Sequence, residues 1–301
     1  YTITTGFTSG IAVTIVIGQL KDFFGITYQN GETPIETIEK LEAVFKNFST
    51  FNINALIIGI ISLAILIISP YIFKKIPGSL IAVIAGIVMV KFLPLKANTI
   101  GDLYTISNSL PAFHLPKVNL EIIEQSASDA FTIAILAAIE SLLSCVVADG
   151  MINGKHRSDM ELVAQGAGNI ASALFGGIPA TGAIARTAAN IKNGGRTPIA
   201  GMVHSITLVI VLVVLMPYAG LIPMPTIAAI LFMVAYNMCQ WRTFVDLVKT
   251  APKSDIIVLL TTFFLTVLFD LVVAIEIGMV LACLLFIKRM SEETHVDSWT
   301  Y

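Results

Sequence analysis

The apolar residues of this chain come in long blocks, and most of them approach the roughly 20 residues that an α-helix needs to cross a bilayer. The blocks fall at 53–73, 78–95, 130–150, 161–175, 179–194, 198–216, 224–238, 255–270 and 271–290, and residues 6–20 look like the remnant of a further span. Only 13% of the residues are charged, against about 25% in soluble domains. The alternating strands of a membrane β-barrel are not seen. The sequence therefore predicts an all-α, multi-pass membrane protein.

Lysine and arginine cluster in alternate connections between the blocks, for example in "NGKHRSD" (153–159) and "KNGGR" (192–196). Such loops are typically cytoplasmic in membrane proteins. The intervening connections are acidic or mixed, as in "ETPIETIEKLEAVF" (32–45) and in 96–129. We therefore expect successive spans to reverse direction and the C-terminus to be cytoplasmic.

Several functional classes are disfavoured by the composition and the motifs. The formal net charge of −2 gives no electrostatic footprint for nucleic acid. Cys145, Cys239 and Cys283 lie in or beside apolar blocks without a C-x-x-C pair, which indicates packing residues. His156 and Asp159 are close in sequence, but no metal-ligand spacing or activated nucleophile accompanies them. We expect no metal, no cofactor and no enzyme activity.

The stretch "FGGIPATGAIARTAAN" (175–190) interrupts the apolar pattern. Proline is favoured in the first turn of a helix, which predicts an extended approach and a helix beginning near Pro179. Residues 179–191 as helix would be about 20 Å long, too short for the roughly 30 Å hydrocarbon core, so the helix is predicted to begin inside the membrane. A helix N-terminus there attracts an anion, and Arg186, two turns in, adds a full charge. The alternative is a simple kink with Arg186 reaching the cytoplasmic surface.

A second intramembrane charge lies in "ESLLSCVVADGM" (140–151). Glu140 is near the centre of its block, and Ser144 lies four residues on, on the same helical face. Such an acid is a candidate for proton relay. We hypothesise that Glu140 neutralises Arg186 in the empty protein and takes up a proton when an anion binds. A static Glu140–Arg186 pair that fixes helix packing is the competing interpretation.

These motifs resemble the sulfate permease (SulP) family of anion transporters. The likeness is carried by "GFTSG" (6–10), "ESLLSCVVADGM" (140–151), "ELVAQGAGNIASALFGGIPATGAIARTAANI" (161–191), "GGRTPIAGMVHS" (194–205), "VAYNM" (234–238) and "APKSDIIVLLTTFFLTVLFDLVVAIEIGMVLA" (251–282). The resemblance implies fourteen segments in two inverted repeats of seven, divided between a core and a gate domain. It also implies a homodimer in the cell membrane and a cytoplasmic STAS domain after the membrane domain.

On that template the chain resembles segments five to fourteen. The opening "YTITTGFTSG", which has no initiator methionine, is then expected to follow a missing N-terminal part. The resemblance implies gate helices over 1–95, an extracellular connection over 96–129, core helices over 130–216, gate helices over 217–290 and the start of a cytoplasmic tail over 291–301, with the STAS domain absent.

The family's substrate site lies between two half-helices, and the resemblance carries it onto one of them here. The tenth segment corresponds to 179–194, so the implied substrate-binding residues there are Thr181, Gly182, Ala183, Ile184, Ala185 and Arg186. The eighth segment corresponds to 130–150, which adds Ser144 for substrate and Glu140 for proton coupling.

The implied function is secondary active transport of an inorganic anion, with sulfate in symport with protons as the leading expectation. Glu140 with Arg186 is similar to the proton-coupled members. Sodium-coupled bicarbonate members have threonine where this chain has Ile184, and animal exchangers have serine where it has Ala185. A C4-dicarboxylate/proton symporter, a bicarbonate or chloride exchanger and an anion channel remain open.

Overall fold

In the computed structural model, the apolar blocks form helices. The structure describes residues 2–28, 34–73, 76–93, 95–105, 109–116, 119–239, 241–269, 277–278, 280–285 and 287. The helices are α1 (Thr2–Phe24), α2 (Thr37–Lys46), α3 (Ile53–Ile72), α4 (Gly78–Phe92), α5 (Ile100–Leu103), α6 (Leu120–Ile152), α7 (Ser158–Leu174), α8 (Ile184–Lys192), α9 (Ile199–Ile210), α10 (Met216–Ala219), α11 (Met224–Cys239), α12 (Trp241–Thr250) and α13 (Lys253–Leu268). No strand occurs among these residues, and the predicted all-α class is confirmed.

Five stretches within the described part are long and apolar enough to cross a membrane. They are Thr5–Phe24, Ile53–Ile72, Leu120–Ile152, Ile199–Ala219 and Met224–Thr250, and Gly78–Phe92 is a shorter apolar helix. The chain is therefore a multi-pass membrane protein. Most of the predicted span 271–290 and all of the predicted tail 291–301 lie outside the described residues.

Two predicted spans were too short. The span predicted at 6–20 lies within α1, which runs over 23 residues from Thr2 to Phe24. The span predicted at 130–150 begins at Leu120 and continues for 33 residues. Its first turn is capped by Asn119, whose side-chain oxygen accepts the Ile122 N–H at 2.9 Å. This start was missed because the first ten residues of α6 are too polar to read as an apolar block.

The chain divides into two compact units, Tyr1–Ile106 with Tyr218–Tyr301 and Ser107–Pro217. In the first unit α1 packs against α3, α11 and α13, and α3 packs against α4. The buried side chains at its centre are Phe23, Leu66, Ala82, Ala228 and Ala229. Two fully buried hydroxyls join α3 to α11, with 2.9 Å between the Ser62 and Thr226 oxygens. The assignment of gate and core domains stays a prediction.

Outside the membrane spans, the short helix α5 of the first unit is held in place by hydrogen bonds. Thr99 and Asp102 form a capping box on α5, and the Gly101 N–H donates to the Gly220 carbonyl at 2.8 Å. The Thr99 backbone N–H and its hydroxyl both donate to the Asp102 carboxylate. These two bonds hold the pKa of Asp102 below its ordinary value.

In the second unit α6 packs against both α7 and α8. The turn between α6 and α7 is closed by Asp149, whose carboxylate accepts the backbone N–H of His156 at 2.9 Å and lies 2.7 Å from its Nδ1. Helices α7 and α8 are joined by an irregular segment, residues 175–183. That segment and the start of α8 form the candidate site.

Candidate functional site

The chain leaves α7 through a glycine turn that only a few residue types can make. Gly176 has φ +73°, a conformation that L side chains rarely adopt. A Cβ at this position would also lie 3.0 Å from His114 Cε1. The next residue, Gly177, donates its N–H back to the Ser172 carbonyl at 2.8 Å. The turn sends residues 178–183 along α7 in a non-helical conformation.

Side chains of α7 bind the backbone of this segment. Asn169 donates from Nδ2 to the Ala180 carbonyl at 3.0 Å and accepts the Ala180 N–H on Oδ1 at 2.7 Å. One turn further along, the Ser172 hydroxyl donates to the Ile178 carbonyl at 3.0 Å. The segment therefore obtains from α7 the hydrogen bonds that it cannot make within itself.

Helix α6 binds the same segment through a chain of hydroxyl groups. The Thr181 hydroxyl donates to the Ala137 carbonyl at 2.9 Å, and the Gly182 N–H donates to Ser141 Oγ at 3.3 Å. Because a hydroxyl has one proton, and that of Thr181 is already donated, Ser141 is the donor in its 2.9 Å contact with Thr181 Oγ1. Ala137, Ser141 and Ser144 are spaced i, i+4, i+7 and form one face of α6.

Helix α8 begins at Ile184, five residues later than predicted. Its N-cap, Ala183, has an extended backbone and provides no side-chain cap. The first backbone N–H groups of any helix lack partners within it. Arg186 is therefore in the first turn, not two turns in, and its side chain is exposed. Two positive features, the helix end and the guanidinium, lie together.

The predicted neighbours of Arg186 are placed as follows. Ser144 faces α8 and its Oγ lies 3.0 Å from Thr187 Oγ1. Glu140 is half-buried on α6, at the edge of the face that contacts α8. No ion pair joins Glu140 and Arg186, both of which the structure describes. The expected neutralising pair is therefore not formed here, and the Arg186 side chain is exposed, whereas Glu140 is half-buried.

The geometry brings together most of the predicted positions and adds others. Thr181, Gly182 and Ser144 make the hydrogen bonds described above, Ala183 and Ile184 form the helix start, and Ala185 follows in the first turn. Four contributors had no assigned role in the sequence-based site: Ser141, Asn169, Ser172 and Thr187. The spacing of Ser141 from Ser144 could have indicated a shared face. Nothing in the sequence relates Asn169 to Ala180, eleven residues on.

In a multi-pass helical membrane protein, a helix that begins after a non-helical segment is an arrangement that also occurs in secondary transporters. The comparison with known proteins specifies the family. The model of the sulfate permease family matches residues 1–262, and the chain belongs to that family. The predicted family and its membrane-domain fold are confirmed.

Two relatives and one solved structure illustrate the similarity. The chain is 42% identical over 295 residues to YvdB, a candidate sulfate transporter of Bacillus subtilis (strain 168), which covers 97% of this chain and 55% of YvdB. It is 34% identical over 293 residues to the bicarbonate transporter BicA of Picosynechococcus sp. (strain ATCC 27264 / PCC 7002 / PR-6), covering 97% of this chain and 51% of BicA. The solved transmembrane domain of a cyanobacterial BicA superposes with a TM-score of 0.74 at 28% identity, covering 94% of this chain and 68% of that one. The chain thus spans about half the length of these two relatives.

Proposed function

We propose that this chain belongs to a secondary active transporter that carries a small dianion, sulfate in the first place, together with protons. The observation that supports it is the start of α8, where Arg186 lies in the first turn of a helix that begins after a non-helical segment. The names of the relatives, a candidate sulfate transporter and a bicarbonate transporter, support the class of substrate.

A cation at a helix N-terminus is an unfavourable arrangement by itself. The N-terminus carries roughly half a positive charge, and a like charge in the first turn costs on the order of 0.3–1 kcal/mol. An anion at this place would accept hydrogen bonds from the free N–H groups and neutralise the guanidinium. A dianion would do so more completely than chloride. One of its two negative charges can interact with the guanidinium while the other interacts with the helix N-terminus.

The hydroxyls beside the helix start keep this backbone in place. Ser144 and Thr187 link α8 to α6, and Ser141 and Thr181 link the preceding segment to α6. Preorganised donors bind a charge better than mobile ones, since they need not be ordered on binding. Thr181 and Gly182 are proposed to contact the anion together with Ala183, Ile184, Ala185 and Arg186.

Glu140 is proposed to couple the anion to a proton. An acid within a membrane span is a candidate for a proton pathway. Because no ion pair holds its carboxylate to Arg186, the coupling would act through repulsion. An incoming anion near Glu140 is disfavoured unless that carboxylate takes up a proton, so anion and proton would move together.

The role of Arg186 can be tested with a matched control on the same helix. In proteoliposomes containing the full-length protein, Arg186→Gln is expected to abolish saturable uptake of labelled sulfate. Lys192→Gln removes the same charge at the last residue of α8 and is expected to leave uptake unchanged. Equal uptake by Arg186→Gln and the unmodified protein would refute the proposal.

The coupling and the substrate need separate measurements. Glu140→Gln is expected to retain sulfate exchange but to lose the stimulation of uptake by an inwardly directed proton gradient. Stimulation that persists in Glu140→Gln would exclude Glu140 as the coupling group. Competition by fumarate, succinate, bicarbonate and chloride then distinguishes the proposed sulfate carrier from a dicarboxylate carrier or an exchanger, and a lack of saturation would indicate a channel. Homodimer formation, the cell-membrane location and the cytoplasmic C-terminus are proposed from the family resemblance and the basic loops.

A further inference from the structure

The paired hydrogen bonds between Asn169 and Ala180 have a consequence for the anion site. We propose that Asn169 is a positioning residue: its side-chain amide fixes the backbone of residue 180 and thereby sets where the N-terminus of α8 lies. Only three residues separate Ala180 from Ile184, the first residue of that helix. The functional part of this inference rests on the proposed function, whereas the structural part does not.

An asparagine amide can replace a neighbouring strand of backbone. It offers a carbonyl acceptor and an NH₂ donor on the same planar group, and Ala180 bonds to both, at 2.7 Å and 3.0 Å. Aspartate could accept the N–H but could not donate when ionised. Glutamine has the same groups on a longer stem, so its amide would meet the segment at another position.

The segment needs such a partner because it is not helical. Backbone N–H and C=O groups that are not paired within a helix need hydrogen-bond partners elsewhere in the protein or in solvent. Residues 178–182 obtain these bonds from two sides: α7 binds Ile178 and Ala180, and α6 binds Thr181 and Gly182. Asn169 contributes two of the bonds from the α7 side and Ser172 the third.

The same groove provides a control residue. Gln165 lies one turn before Asn169 on α7 and lines the same small cavity as Asn169, Ser172 and Ala180. Gln165 makes no hydrogen bond to the segment among the contacts of the described residues. Replacing it removes a polar side chain of the same class from the same surface but leaves the bonds to Ala180 intact.

Two readouts on the full-length protein in lipid nanodiscs and proteoliposomes test the proposal. Amide hydrogen exchange at Ala180 is expected to become about tenfold faster in Asn169→Ala, because one hydrogen bond protects that N–H. Exchange should stay slow in Asn169→Asp, which keeps the acceptor, and in Gln165→Ala. The KM for sulfate is expected to rise about tenfold in Asn169→Ala, with the maximal uptake rate within about twofold of the unmodified protein.

Each outcome decides one part of the inference. We call the pair of hydrogen bonds between Asn169 and Ala180 the clamp. Unchanged amide hydrogen exchange at Ala180 in folded Asn169→Ala would overturn the clamp itself. Faster exchange with an unchanged KM would overturn its role in positioning the site. If the unmodified protein shows no saturable sulfate uptake, the proposed function fails, while the exchange data still decide the clamp. Should Asn169→Ala not fold, Asn169→Ser, whose shorter side chain does not reach Ala180, takes its place, and unchanged exchange at Ala180 in that variant would equally overturn the clamp.

Discussion

The close approach of α1 to α13 depends on two glycines, and an added methyl group tests it directly. A Cβ on Gly6 would lie 2.5 Å from the backbone oxygen of Leu259, and a Cβ on Gly10 would lie 2.7 Å from Thr266 Cβ. A Cβ on Gly18, in the same helix, would meet nothing within 4 Å. The substitutions Gly6→Ala and Gly18→Ala therefore add the same methyl group. At position 6 it meets the neighbouring helix, and at position 18 it meets open space.

The two substitutions are expected to change the free energy of unfolding in opposite directions. Replacing glycine by alanine inside a helix stabilises it by up to about 1 kcal/mol. At Gly18 no steric clash opposes this gain in stability. At Gly6 the Leu259 carbonyl would have to retreat by about 0.8 Å to reach an ordinary C···O contact of about 3.3 Å. Overpacking of this kind costs about 1–3 kcal/mol, so Gly6→Ala should be about 1–3 kcal/mol less stable than Gly18→Ala.

Thermal stability in detergent provides the assay. The fraction of full-length protein that stays monodisperse on size-exclusion chromatography after heating should fall at a lower temperature for Gly6→Ala than for the unmodified protein, and at a higher one for Gly18→Ala. If the two variants are equally stable, α1 does not approach α13 through Gly6, and the packing of the first unit described above is wrong.

Two further predictions concern single polar groups. Ser141→Ala leaves the Gly182 N–H without its acceptor and should destabilise the protein by about 1–2 kcal/mol, measured by thermal unfolding, whereas Ser205→Ala removes only an exposed bond to the preceding turn of its own helix and should have little effect. Because the pKa of Asp102 is lowered in the folded state, its capping bonds to Thr99 contribute fully above the unfolded pKa of about 3.9 and are lost as the pH falls through the folded pKa. Limited proteolysis of residues 95–105 by pepsin should therefore increase more steeply on acidification in the unmodified protein than in Asp102→Asn, and equal profiles would contradict this.

The sequence predicted the spans well where hydrophobicity alone decides the structure. An apolar block has few alternatives to a membrane helix, so α3, α4 and α11 lie within a few residues of their predicted bounds. The break after Phe175 was also predictable, since Gly176, Gly177 and Pro179 disfavour a continuous helix there.

The start of α8 was not predictable, because it depends on groups far away in the chain. Pro179 is suited to a first helical turn, and local preference placed the helix start there. In the structure, the amide of Asn169 and the hydroxyl of Ser141 provide hydrogen bonds that favour a non-helical backbone at Ala180 and Gly182. Tertiary bonds therefore outweigh the local preference and move Arg186 into the first turn.

Anomalous diffraction from selenate, which has the charge and shape of sulfate, would locate a bound dianion. In crystals of the full-length protein soaked in selenate, we expect a selenium peak at the N-terminus of α8, within hydrogen-bond reach of the backbone N–H groups of Ile184 to Arg186 and of the Arg186 guanidinium. The peak should be absent in Arg186→Gln. A selenium peak elsewhere in the membrane region, unaffected by that substitution, would contradict the account.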